Sequence, residues 1–273
     1  MNKLFIIQLM ISFIVGGGFI VLLTFIAEKV NKKISGIILA FPSTVALGFF
    51  FMGWTISPSA VVNIIPSTFI PLGLAILFVA IYPYIAEFIS KYFKNKVLQI
   101  IISFSLSIGM WFAFSIPLVL YEFNNLLFGI LGYILLIIFA HIILKRKNYA
   151  KPIALEYTNI QKILRAIFVG FIIFLIVLLS KVLNPFWGGM FSMFPAAFTS
   201  VMIIIHWHYG INSLFPTMQK VPIGSISLFG YAIVAMFLFP KFGYIFGTLF
   251  TYLISLIITL SLIIIQTKIC ASK

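Results

Sequence analysis

Two stretches decide the fold. Residues 17-54 read GGFIVLLTFIAEKVNKKISGIILAFPSTVALGFFFMGW, and residues 170-207 read GFIIFLIVLLSKVLNPFWGGMFSMFPAAFTSVMIIIHW. They align without a gap at an offset of 153. Gly17 meets Gly170, Ile20 meets Ile173 and Leu22 meets Leu175. Asn31 meets Asn184, Gly36 meets Gly189, Phe41-Pro42 meets Phe194-Pro195, and Trp54 meets Trp207. Apolar matches cost little in a chain this apolar. Asn, Gly, Pro and Trp coinciding in one ungapped stretch point to an internal repeat. At an offset of 151, Pro71 and Gly73 then meet Pro222 and Gly224.

The rest of the chain says what kind of repeat this is. Of 273 residues, 63% are hydrophobic and 8% are charged. A soluble domain carries about 25% charged residues, so the composition predicts a polytopic membrane protein, and it excludes disorder. A bilayer-spanning helix needs about 20 mostly apolar residues. Nine segments meet that length: 4-27, 35-57, 62-90, 97-121, 126-144, 160-180, 186-208, 222-239 and 243-266. The stretch 58-92 holds Pro58, Pro66, Pro71 and Pro83 and leaves room for a re-entrant piece.

The net charge of +14 resolves by position. Nine spans put Lys29, Lys32, Lys33, Lys91, Lys94, Lys96, Lys145, Arg146, Lys147, Lys151, Lys162, Arg165, Lys220, Lys268 and Lys273 on one side. Lys3, Lys181 and Lys241 fall on the other. This asymmetry predicts a multi-pass protein of the inner or plasma membrane, with its N-terminus outside and its C-terminus in the cytoplasm. The charge then reports orientation, with some attraction to anionic lipid, and not a nucleic-acid partner.

The expected fold is all-α, with about nine transmembrane helices in two four-helix repeats. Residues 1-122 form the first repeat, and 159-273 form the second. Residues 123-158 hold a linking helix and a basic cytoplasmic loop. Five spans precede the second repeat, so its direction is reversed. Inverted repeats of this kind are common in secondary transporters.

Pro42 and Pro195 lie inside equivalent spans, where proline removes a donor and breaks the helix. Small polar residues follow: Ser43 and Thr44 after one break, Thr199 and Ser200 after the other. Interrupted segments at corresponding positions of two inverted halves point to a central binding site. The substrate-binding candidates are therefore Phe41, Pro42, Ser43, Thr44, Phe194, Pro195, Thr199 and Ser200. Half-helix N-termini there would suit an anionic or hydrogen-bond-accepting group. Plain kinks, with the hydroxyls bonded to their own backbone, are the alternative.

Other polar residues have competing readings. Asn31 and Asn184 cap the following helix or act as gates. Glu87 lies near the end of a span, as a functional ionisable group or an ion pair with Lys91. His206 and His208, two apart, point about 200° from each other on a helix. They are read as interfacial polar ends, with proton handling by His206 as the alternative. Trp54 and Trp207 are read as interfacial anchors. Gly16 to Gly18 and Ser103, Ser105, Ser107 and Ser115 are read as small residues for close helix approach.

The chain has no Asp, and its acids are Glu28, Glu87, Glu122 and Glu156, none clustered. Its single Cys, Cys270, makes no internal disulfide. No catalytic set, metal site or cofactor is expected.

The segments NKKISGIILAFPSTVALG and NPFWGGMFSMFPAAFTSVM resemble the pattern of the small GlpM-like inner-membrane proteins, which carry a similar G-x-x-x-x-FP segment in a half-length chain. The resemblance covers about 35 residues in each half. It implies a fused, duplicated unit and leaves the substrate open.

The functional expectation is a transporter or exporter of a small polar or anionic molecule, working by alternating access around the Phe-Pro breaks. A channel, or a lipid or envelope-biogenesis factor without transport, is the alternative. The expected partners are the lipid bilayer and a small-molecule substrate; a homo-oligomer is left open.

Overall fold

A single helix of 33 residues, Pro58–Ser90, runs through the stretch that holds the four prolines. The re-entrant piece is therefore absent. Ser57 caps this helix by accepting from the Ala60 N–H at 3.1 Å, and Pro58 occupies the first turn, where no N–H is needed. Pro66, Pro71 and Pro83 lie inside it. Interior prolines free backbone carbonyls, which neighbouring helices can satisfy. Separately, the Trp111 indole N–H donates to the Pro71 carbonyl at 3.0 Å and ties a neighbouring helix to this one.

The computed structural model describes residues 3–29, 42–145 and 157–271, with the side chains of 27–29 and 266–271 left aside. Expectations on Asn31, Gly36, Phe41, Glu28, Glu156 and Cys270, and on the basic residues within 29–33, 146–151 and 268–273, lie outside the described residues and side chains. The described elements are all helical. They are α1 (Lys3–Lys29), α2 (Ser43–Thr55), α3 (Pro58–Ser90), α4 (Lys96–Leu120), α5 (Leu126–Lys145), α6 (Asn159–Val182), α7 (Pro185–Ser192), α8 (Ala196–Tyr209), α9 (Leu214–Met218) and α10 (Val221–Ala271).

Among the described residues, seven helical runs are long and apolar enough to cross a membrane: Lys3–Ile26, Pro58–Ser90, Lys96–Leu120, Leu126–Lys145, Asn159–Val182, Pro185–Tyr209 and Val221–Ile265. The chain is a multi-pass membrane protein. Large apolar side chains stand exposed along its outside, among them Ile14, Leu135, Ile163, Ile167, Phe246 and Ile257, and such a surface is stable against lipid, not water. The count differs from nine at two places. The expected span 35-57 is represented by the 13 residues of α2. The expected spans 222-239 and 243-266 count as one run, α10, but the chain reverses at Gly243 (φ 70°, ψ −175°): Ser255 Oγ donates to the Ser227 carbonyl at 3.1 Å and Tyr252 packs edge-on to Tyr231. That backbone conformation is open essentially to glycine alone.

Helix α3 is the centre, packed against α4, α5, α7 and α10. Helices α1 and α6 pack along each other in opposite directions. Phe25 lies under the Lys162 ammonium, while Gly17 faces Ala166 and Gly170 faces Phe13. These contacts are reciprocal, because Phe13 and Ala166 are also 153 apart. A methyl group on Gly17 would sit 2.8 Å from the Ala166 carbonyl oxygen, and one on Gly170 would sit 2.7 Å from that of Phe13.

Polar contacts define the two ends of the bundle. At one end, Lys96 Nζ donates to the Trp207 carbonyl at 3.3 Å, and Gln161 meets His208 at 2.7 Å. At the other, Asn184 Nδ2 donates to Glu122 at 3.2 Å, and Asn124 donates to the Asn63 carbonyl at 2.7 Å.

Candidate functional site

Each Phe-Pro break opens a helix in the same way. Pro42 precedes α2 with φ −74° and ψ 57°; Pro195 precedes α8 with φ −76° and ψ 47°. Both proline carbonyls accept the first intrahelical bond, from Ala46 at 3.1 Å and from Thr199 at 2.8 Å. Neither helix start has a side-chain cap. This is unusual for the chain. Asn95, Thr158 and Asn184 cap α4, α6 and α7 with their side chains, as helix starts prefer.

The two uncapped starts face one small cavity. Ser43, Thr44 and Val45 line it from α2, and Phe194, Pro195, Ala196, Ala197 and Phe198 line it from the α7–α8 break. Leu72 and Ala75 of α3 and Leu228 of α10 close it. Its volume is about 30 Å³, enough for a water molecule or two. Ser43 and Thr44 are buried, as are Phe194 and Pro195. Four of the expected residues thus share a cavity: Ser43, Thr44, Phe194 and Pro195. Pro42 is buried beside it as the residue that starts α2.

Thr199 and Ser200 belong to a second cavity. They lie one turn further along α8, in a groove of about 240 Å³ shared with Phe104 of α4 and with Gln161, Leu164, Arg165 and Phe168 of α6. Ser200 donates to the Ala197 carbonyl at 2.9 Å, so its hydroxyl is bonded within its own helix. The Thr199 hydroxyl is buried and makes no hydrogen bond.

The remaining candidates are placed as follows. Asn184 caps α7, accepting from the N–H groups of Phe186 (3.1 Å) and Trp187 (3.4 Å). Glu87 is half-buried in a separate cleft with Ser90, Tyr209, Gly210 and Asn212. His206 is buried, at 1% exposure. Its Nδ1 meets the Tyr82 hydroxyl at 3.0 Å, and its Nε2 meets Gln99 Oε1 at 3.4 Å. His208 points the other way, to solvent and Gln161. Trp207 is 45% exposed, whereas Trp54 packs partly buried against Phe51.

Arg165 is the residue that charge counting hid. It entered the sequence reading only as one of the cytoplasmic positives, but the structure buries it to 6% exposure. The signal was present: Arg165 lies six residues inside α6, and an ionisable residue within a span is a functional candidate by default.

No family model, no curated protein and no solved structure matches this chain.

Proposed function

We propose that the chain is a small membrane transporter or exporter, working by alternating access between two inverted units. On this reading it has nine spans, counting α2 with the residues before it and the two parts of α10 on either side of Gly243. Its N-terminus lies outside and its C-terminus in the cytoplasm. The basis for the units is the Phe-Pro repeat, and the GlpM-like pattern fits a fused duplication. The inversion is supported by the antiparallel packing of α1 on α6, with matched residues meeting reciprocally. Such a self-complementary contact is what a two-fold axis between equivalent elements produces.

One observation carries the assignment of the site. Two uncapped helix starts, one from each unit, face a single buried cavity. Their N–H groups and positive dipole ends favour an anionic or hydrogen-bond-accepting group. Ser43 and Thr44 add hydroxyls, and Phe194 and Phe198 add aromatic walls. A volume of about 30 Å³ fits an occluded carrier with its site collapsed, rather than an open pore.

Cysteine accessibility tests this. In a Cys270→Ser background, Thr44→Cys and Ala197→Cys are each treated with a membrane-impermeant thiol reagent, in intact cells and in inside-out vesicles. Alternating access exposes each position to both sides in turn. Failure of both positions to label from one of the two sides overturns the reading.

A further inference from the structure

The groove between α6 and α8 has a composition that packing alone does not explain. Its floor is apolar, with Phe104, Phe168, Ile203 and Ile204. Set into that floor is Arg165, 6% exposed, whose Nε makes no hydrogen bond. The guanidinium stacks on the Tyr157 ring, with Cζ 4.5 Å from the ring centre. That contact holds the plane but satisfies none of its N–H donors. Arginine stays charged in any protein environment, and a buried charge is costly unless it is paired. Across the groove the Thr199 hydroxyl, 2% exposed, also has no hydrogen-bond partner. It lies one turn into α8, where its own N–H is already bonded to the Pro195 carbonyl at 2.8 Å. A buried cation and a buried hydroxyl without a partner therefore line one space of about 240 Å³.

The shape of the space says what is attached to the anion. Leu164 forms the outer rim at 60% exposure, continuous with Ile160, Ile163 and Ile167 on the lipid-facing side of α6. The groove thus opens sideways, onto a surface that faces acyl chains. A small hydrated anion gains nothing from four apolar walls, whereas an amphiphile would bury its chain along them.

The two halves differ here. The residues that match Arg165, Thr199 and Ser200 at the offset of 153 are Ser12, Ala46 and Leu47. The polar set is confined to the second half, so the repeat by itself does not account for it.

We propose that this groove binds a membrane amphiphile with an anionic head. The phosphate or carboxylate pairs with Arg165 and Thr199, and the chain lies against Phe104, Phe168, Ile203 and Ile204. The proposal rests on the groove alone and stands whether or not the Phe-Pro cavity carries transport.

The test uses the full-length protein in phosphatidylcholine nanodiscs. The probe is a diazirine-bearing phosphatidic acid, with the matching diacylglycerol as neutral control, and labelled peptides are read by mass spectrometry. The expected result is saturable labelling of the peptides around 160–168 and 199–209 by the anionic probe. The neutral probe labels them weakly. Arg165→Gln is expected to lower that labelling about tenfold, as loss of a charge-assisted pair would, and Arg165→Lys to restore part of it. Ile203→Trp fills the groove while keeping the charge, and should also abolish labelling. Unlabelled phosphatidic acid should displace the probe. Displacement by millimolar inorganic phosphate instead identifies a free anion as the ligand and overturns the amphiphile. Equal labelling by both probes, or labelling unchanged in both Arg165→Gln and Ile203→Trp, overturns the site. The comparison of the two probes on the unmodified chain decides the matter even if a variant fails to fold.

Discussion

Gly17 and Gly170 stand 153 residues apart in the chain and touch in the structure. A methyl group on Gly170 would come within 3.3 Å of the Gly17 nitrogen and 3.4 Å of its Cα. Two matched residues in contact lie where a two-fold axis relating their helices would pass. Small residues four apart, Ala166 and Gly170, allow this approach, as in other close helix pairs in membranes.

The first prediction follows from that contact. Gly17→Ala and Gly170→Ala each push a methyl group into a backbone carbonyl at 2.8 and 2.7 Å. Each should destabilise the protein by about 1–3 kcal/mol, the usual cost of overpacking. Gly18→Ala is the control, since nothing lies within 4 Å of its new methyl group. It should be neutral or stabilise by up to about 1 kcal/mol through helix propensity. Thermal unfolding in detergent reads the order. A Gly18→Ala loss as large as that of its neighbour would contradict the close approach.

The buried His206 network makes the second prediction. Gln99 Nε2 donates to the Phe93 carbonyl at 2.6 Å, which turns Gln99 Oε1 toward His206 Nε2. Nε2 therefore carries the proton, and Nδ1 accepts from the Tyr82 hydroxyl. Tyr82→Phe would leave Nδ1 buried without its donor, at a cost of about 1–3 kcal/mol. Tyr82→Phe combined with His206→Phe should lose less than the two single changes added together, because the pair acts as a unit. Additive losses in the unfolding midpoint would break the assignment.

What was legible in the sequence was what the backbone dictates locally. Proline imposes its φ wherever it stands, so Pro42 and Pro195 start helices α2 and α8 alike. Asn184 reads as a cap from its position alone, and it caps. What was not legible depends on which faces meet. Thr199 is grouped with Ser43 by sequence, yet its position one turn into α8 turns it to another cavity. His206 and His208 divide as a helix demands, but which of them goes inward depends on Tyr82, 124 residues away. Arg165 looked like one more cytoplasmic charge because burial is set by α4 and α8, which lie elsewhere in the chain.

Gly243 supports a third prediction. It has φ 70° and ψ −175°, and no atom lies within 4 Å of an added methyl group. Gly243→Ala should therefore lose stability by backbone strain alone, about 1–3 kcal/mol. Gly243→Asn should recover little, since asparagine tolerates the left-handed helical region but not this extended one. A Gly243→Ala protein that unfolds with the unmodified midpoint would show that the break in α10 is not required.

The last prediction concerns which end of the bundle faces the cell interior. Helix α4 runs from Lys96 to Leu120, and its 25 residues span about 37 Å at the helical rise. Its start shares an end with Trp207 and His208, and its far end lies near Glu122 and Asn184. Lys94 and Val182 are therefore on opposite ends, and both are exposed. The end with Lys94 also has Lys91, Lys96, Lys162 and Arg165, so the orientation proposed above puts it in the cytoplasm. In a Cys270→Ser background, an impermeant maleimide should label Val182→Cys in intact cells and Lys94→Cys only in inside-out vesicles. The reverse pattern would invert the orientation while keeping the two ends. Labelling of both from the same side would contradict the bundle itself, because a helix crossing the membrane cannot put its two ends on one face.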